Sequence, residues 1–112
     1  MVVNITARHW TIPEALRRRT EERMNRLLRF DERLVSVDVS FEADHGVHRA
    51  EARLVLPRGG VMVAHGSGAS YRAALDRAAD RLTRQLKRRN ERKRTHHAAR
   101  VSEEGIEVPG SA

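Results

Sequence analysis

Residues 70–94, SYRAALDRAADRLTRQLKRRNERKR, repeat their apolar side chains at helical spacing. At about 100° per residue, Tyr71, Leu75, Ala78, Leu82 and Leu86 share one face, and Arg77, Arg81, Arg84 and Arg88 line up a right angle or more away from it. The spacing predicts one long helix starting near Ser70, a residue suited to the N-cap. The apolar stripe requires a covering layer, and the basic stripe is left for something else.

The covering layer is legible upstream. Residues 34–42 alternate, with Val35, Val37, Val39 and Phe41 directed inward and Ser36, Asp38, Ser40 and Glu42 outward. Residues 47–56 repeat the pattern with Ala50, Ala52, Leu54 and Leu56 inside, and Ala43-Asp44-His45-Gly46 between the two runs reads as a hairpin turn. Pro57-Arg58-Gly59-Gly60 is the next turn, Val61 to His65 a shorter strand, and Gly66-Ser67-Gly68 a loosened link into the long helix. At the N-terminus, residues 2–8 alternate with Val3, Ile5 and Ala7 on one face. Thr11-Ile12-Pro13-Glu14 has the form of a capping box, Thr11 capping and Glu14 reaching back. The helix that follows, to about Arg29, buries Ile12, Leu16, Thr20, Met24, Leu27 and Leu28 and carries Arg19, Arg23 and Arg26 on a neighbouring stripe.

The order β-α-β-β-β-α predicts an α+β two-layer sandwich: a four-stranded sheet with two helices on one face and water on the other. A right-handed crossover through the first helix pairs strands one and two in parallel, and hairpins join the rest. On the wet face Arg49 and Arg53 alternate with Glu51, an ordinary solvated surface. Residues 1–94 form the domain. From Thr95 the sequence THHAARVSEEGIEVPGSA has no sustained period, so residues 95–112 read as a flexible C-terminal tail.

Charge is concentrated on the long helix. Residues 69–100 hold eleven Lys and Arg against three acidic residues, a balance of +8, which exceeds the +7 of the whole chain. Residues 1–68 carry +2 and residues 101–112 carry −3, so the basicity is local. A pI near 11.3 with its charge gathered on one element points to nucleic acid ahead of an anionic membrane or a merely solvated face. Twenty of the 22 basic residues are Arg, the side chain suited to bidentate phosphate contacts.

The 112 residues suffice for one domain with a modest core. With no cysteine there is neither a disulfide nor a thiolate metal site, which fits a reducing compartment. MVVNITARHW lacks the features of a secretory signal, and no apolar run approaches the roughly 20 residues that span a bilayer. The expected location is cytoplasmic, with no membrane partner. Aromatic content of 4% argues against base stacking as the main mode of recognition.

Nothing in the sequence forms a catalytic set. His45 and His48 flank a turn and His96-His97 lie near the C-terminus, a weak arrangement for metal, so no metal or other cofactor is expected. Asp76 and Asp80, one helical turn apart, read as intrahelical partners of Arg72, Arg77 and Arg84. No nucleophile elbow, phosphate-binding glycine loop or zinc-protease motif occurs, so neither an enzyme nor a small-molecule substrate is expected. Trp10 reads as a partly buried plug in preference to a stacking platform, and Tyr71 as core.

Several of these segments resemble the ribosome hibernation-promoting factor and ribosome-associated inhibitor family, also called the sigma-54 modulation family. The resemblance lies in Asn4-Ile5-Thr6, Pro13-Glu14-Ala15-Leu16, the Val35 to Val39 strand and Ala50-Glu51-Ala52. It is strongest in Tyr71-Arg72-Ala73-Ala74-Leu75-Asp76 followed by Asp80-Arg81-Leu82-Thr83-Arg84-Gln85-Leu86. It covers residues 1–94 and corresponds to a short, single-domain form. The resemblance implies a fold like the double-stranded RNA-binding domain with an extra first strand. It also implies binding to the small ribosomal subunit in the mRNA/tRNA channel, where members inhibit translation and preserve idle ribosomes. Carried over by position, the rRNA-binding candidates are Arg81, Arg84, Lys87 and Arg88, then Arg77 and Arg92, then Arg19, Arg23 and Arg26. Where the family has an acidic run before the Tyr, this chain has Gly66-Ser67-Gly68-Ala69, which implies a looser link. A monomer off the ribosome is expected. The alternative is a general structured-RNA-binding module with the same electrostatics and no ribosomal address.

Overall fold

The structure is a computed structural model that describes the backbone of residues 1–104 and side chains through Arg92. Its elements are β1 (Val2–Ala7), α1 (Glu14–Asn25), a 3-10 turn (Arg26–Arg29), β2 (Ser36–Asp44), β3 (Val47–Val55), β4 (Val61–Gly68) and α2 (Tyr71–Glu104). The sheet order is β1-β2-β3-β4, with β1 parallel to β2 and the remaining neighbours antiparallel. The expected two-layer α+β fold is therefore the one observed.

Strand alternation sets the core. Val37, Val39 and Phe41 of β2, Ala50, Ala52 and Leu54 of β3 and Ala64 of β4 are buried against Met24 and Leu27 from the first helical segment and Ala74, Leu75, Ala78, Ala79, Leu82 and Leu86 of α2. At the β2–β3 hairpin His45 and Gly46 both adopt positive φ, 51° and 80°, the left-handed pair that matches strand twist in a two-residue turn. Trp10 stacks on Tyr71 with ring centres 4.3 Å apart, and Tyr71 meets Phe41 and His48 edge-on.

Five expectations are corrected at the level of local structure. Val35, just before β2, is half exposed, and Leu34 takes the buried place instead. No capping box forms: Pro13 occupies the N-cap of α1 without a side-chain cap bond, and the helix begins at Glu14. The α-helix stops at Asn25 and tightens into the 3-10 turn, which keeps Leu27 in the core. Gly66-Ser67-Gly68 is not a loose link but the end of β4, paired with Ala50, Arg49 and His48 of β3. The glycines there serve close packing, because a Cβ on Gly66 would strike the Ala74 carbonyl and Ala78 amide of α2.

The fifth correction concerns the end of α2. The helix does not stop at Arg94 but continues to Glu104, since Gly105 is the first glycine or proline after Gly68. The rest of the expected tail, residues 105–112, lies outside the described residues. At 34 residues, α2 spans about 50 Å. Among the described residues, its last side-chain hydrogen bonds to the body are Arg89 to Asp31 and the Asn90 amide donating to the Phe30 carbonyl at 3.0 Å.

Asp31 holds the joint between the first helical segment and α2. Its side chain is only 6% exposed and accepts from the Arg33 backbone N–H at 3.0 Å, the Arg33 guanidinium at 3.2 Å and Arg89 at 3.5 Å. Burial pushes the carboxyl up, but the Arg33 and Arg89 interactions together outweigh it and hold Asp31 below its ordinary value. A depressed carboxylate stabilises the fold above its unfolded pKa of about 3.9 and loses that contribution as pH falls through the lower folded value. Asp31→Asn should cost about 1–2 kcal/mol at neutral pH. Thermal melts of both proteins should converge as pH drops through the acid range; a constant gap down to the lowest pH would refute the linkage.

Candidate nucleic-acid interface

The registry of α2 is fixed by its apolar face on the sheet, and this decides where each cation points. Arg77, Arg81, Arg84, Lys87, Arg88 and Arg92 are all exposed, and no carboxylate lies within 4.0 Å of their charged groups among the described residues. They form two subsets. Arg84, Arg88 and Arg92 follow one another at four-residue steps, exposed and without bonds to β4 among the described residues, with Lys87 nearby and its ammonium 5.8 Å from the Phe30 ring centre.

Arg77 and Arg81 lean toward β4. The Arg77 guanidinium donates to the Ser67 carbonyl at 2.5 Å, Arg81 to the His65 carbonyl at 2.8 Å, and the Gln85 amide to the Val63 carbonyl at 3.2 Å. Because β4 is the sheet edge, residues four apart on the helix cover carbonyls two apart on the strand. An edge covered in this way is a poor template for pairing with another chain. Each of these two arginines has further donors left for a phosphate. Arg77→Ala and Arg81→Ala should each lower stability by about 0.5–1 kcal/mol, read from denaturant midpoints, and no change in either would refute the clasp.

The α1 candidates are placed differently. Arg19 pairs with Asp76 at 3.1 Å, and Arg23, its side chain 16% exposed, reaches Asp80 at 2.6 Å and Asp76 at 3.7 Å. The hydrogen bond and charge of Asp76 raise the Arg19 pKa further. Asp76 and Asp80 thus join the two helices, which corrects their expected pairing within α2. Because the pairs advance together along both helices, α1 and α2 run in the same direction. Arg19 and Arg23 are engaged with carboxylates, whereas Arg26 is exposed and, among the described residues, has no ion-pair partner. Gln85 carries no charge and so gives no electrostatic signal in the sequence, but its position four residues beyond Arg81 continues the Arg77 and Arg81 row.

Among the described residues no group of three or more His, Cys, Asp or Glu is placed to hold a metal ion, and no helix is long and apolar enough to cross a membrane. What the geometry defines is a class: a two-layer α+β domain whose longest helix carries an exposed cationic ridge. The chain belongs to the Sigma 54 modulation protein / S30EA ribosomal protein family, whose model matches residues 3–94.

Relatives agree. The chain is 32% identical over 95 residues to a ribosome hibernation promoting factor of Pseudomonas putida, covering 85% of this chain and 92% of that one. It is 35% identical over 92 residues to the factor of the same name from Azotobacter vinelandii, covering 82% and 85%. In three dimensions it is similar to the N-terminal domain of Thermus thermophilus Protein Y, with TM-score 0.71, 32% identity and coverage of 79% of this chain and 98% of that domain. A ribosomal subunit interface protein from Coxiella burnetii shares the fold at TM-score 0.75 and 21% identity, over 81% of this chain and 99% of that one.

Proposed function

We propose that the protein is a ribosome-associated hibernation factor that occupies the mRNA/tRNA channel of the small subunit, inhibiting translation and preserving idle ribosomes. The observation that carries this reading is the ridge of Arg84, Lys87, Arg88 and Arg92, exposed and without carboxylate partners among the described residues, in a chain whose relatives are named for ribosome hibernation. The activity is occupancy, with no bond made or broken. The α2 rod holds its cations in fixed spacing, so contacts with successive rRNA phosphates need little further ordering. Shape and phosphate placement suffice for recognition of folded RNA. Arg77 and Arg81 add their remaining donors to this ridge and Arg26 adds an exposed cation from the first helical segment; Arg19 and Arg23 act by holding α1 to α2. The protein works as a cytoplasmic monomer when off the ribosome.

Cosedimentation with small subunits tests this. The protein should bind stoichiometrically and be displaced by mRNA or initiator tRNA, and its affinity should fall by orders of magnitude between about 50 and 200 mM salt. Equal binding to any structured RNA, without competition, would instead establish a general RNA-binding module.

A further inference from the structure

A cleft of about 590 Å³ opens where both helices begin. Trp10, Pro13, Leu16 and Tyr71 give it apolar walls, and Arg18 and Arg72 stand among its lining. Both arginines are exposed and lack carboxylate partners among the described residues, while Glu22 is the one acidic residue in the lining. The chain's only tryptophan and only tyrosine meet here, both partly exposed in the lining, with Trp10 stacked on Tyr71 and edge-on to the buried Phe41. Core filling alone does not explain the choice of tryptophan. Its Nε1–H is buried and has no hydrogen-bond partner among the described residues, a cost that a phenylalanine would avoid. The positive ends of two helix dipoles also converge on this place and favour an anion.

We propose that this cleft takes one unstacked nucleotide of single-stranded RNA, its base laid against Trp10 and its phosphate against Arg18 and Arg72. The inference deepens the ribosomal reading and rests on it. Aromatic wall and guanidinium rim together match a nucleotide's two chemistries, and stacking tolerates any base. The α2 ridge then supplies phosphate contacts, and the cleft supplies a contact that depends on a base being present.

The single tryptophan makes the test direct. The full chain is titrated at low salt with hexaadenylate RNA, with an abasic ribose-phosphate hexamer and with AMP, while Trp10 emission is followed. Hexaadenylate should quench the emission saturably and bind about tenfold tighter than the abasic hexamer, which binds without quenching; AMP should bind far more weakly than either. By competition against a labelled oligonucleotide, Trp10→Leu should lose the preference for bases, Trp10→Phe should keep it, and Arg18→Ala with Arg72→Ala should weaken both hexamers.

Equal quenching by both hexamers, no quenching by either, or a preference that survives in Trp10→Leu would overturn the proposal. AMP binding as tightly as hexaadenylate would overturn the assignment to RNA, and unchanged binding in the arginine double variant would overturn the phosphate contact. A protein that cosediments competitively with small subunits yet shows no base-dependent quenching keeps the channel reading and loses this one.

Discussion

Small-subunit binding should weaken by about 100-fold near 0.15 M salt when Arg84, Arg88 and Arg92 are all replaced by alanine. The three side chains are exposed at successive four-residue steps of α2, and among the described residues none has a hydrogen-bond or ion-pair partner. Each is therefore available for a phosphate, and each lost contact removes a share of counterion release. The slope of log affinity against log salt should fall by about 2–3 units. Stability should change by no more than about 0.5 kcal/mol, because these are surface positions and alanine favours a helix. Arg77 and Arg81 are excluded from this variant because their bonds to Ser67 and His65 would mix a folding effect into the binding measurement. An unchanged slope with intact folding would remove the ridge from the mechanism.

Gly66→Ala should be the most damaging single methyl addition, costing about 3 kcal/mol or more. Gly66 is buried in β4, and the new Cβ would fall against backbone atoms of Ala74 and Ala78 rather than against a side chain able to rotate aside. The helix would have to lift from the sheet, carrying Ala74 and Ala78 out of the core. For a domain of this size the melting temperature should drop by about 15 °C. Lifting α2 also loosens the Arg77 and Arg81 bonds to β4, so ribosome binding should weaken with folding. Gly59→Ala offers a control: its φ of 88° is strained for alanine, but nothing lies within 4 Å of its Cβ position. Its cost should stay near 1 kcal/mol. Equal effects at both glycines would show that conformation, and not helix approach, explains Gly66.

These two substitutions also mark what the sequence made legible. Strict alternation in β2 and β3 and the 3.6-residue period in α2 report directly on burial, so the sheet, the helical layer and the outward ridge were readable from spacing alone. Ser70 as a cap was readable too, and its hydroxyl accepts the Ala73 N–H at 3.1 Å. Gly66 and Gly68 are ambiguous in sequence because glycine marks both loose chain and close approach; only the position of α2 over β4 separates the two. Local spacing pairs Asp76 and Asp80 with Arg72, Arg77 and Arg84 of their own helix, yet their partners Arg19 and Arg23 lie 57 residues back in sequence. Local spacing ranks local partners and is silent about which residues of α1 stand opposite. The Trp10–Tyr71 stack and the cleft it lines are similarly long-range, joining segments that carry no shared periodicity.

The most direct test of the central claim is a density map of the protein bound to the small ribosomal subunit. The account predicts α2 lying along the mRNA/tRNA channel, with the Arg84, Arg88 and Arg92 guanidinium groups within hydrogen-bond reach of rRNA phosphate oxygens. Density that places the open sheet face of β1–β4 against the rRNA, with α2 turned to solvent, would contradict it.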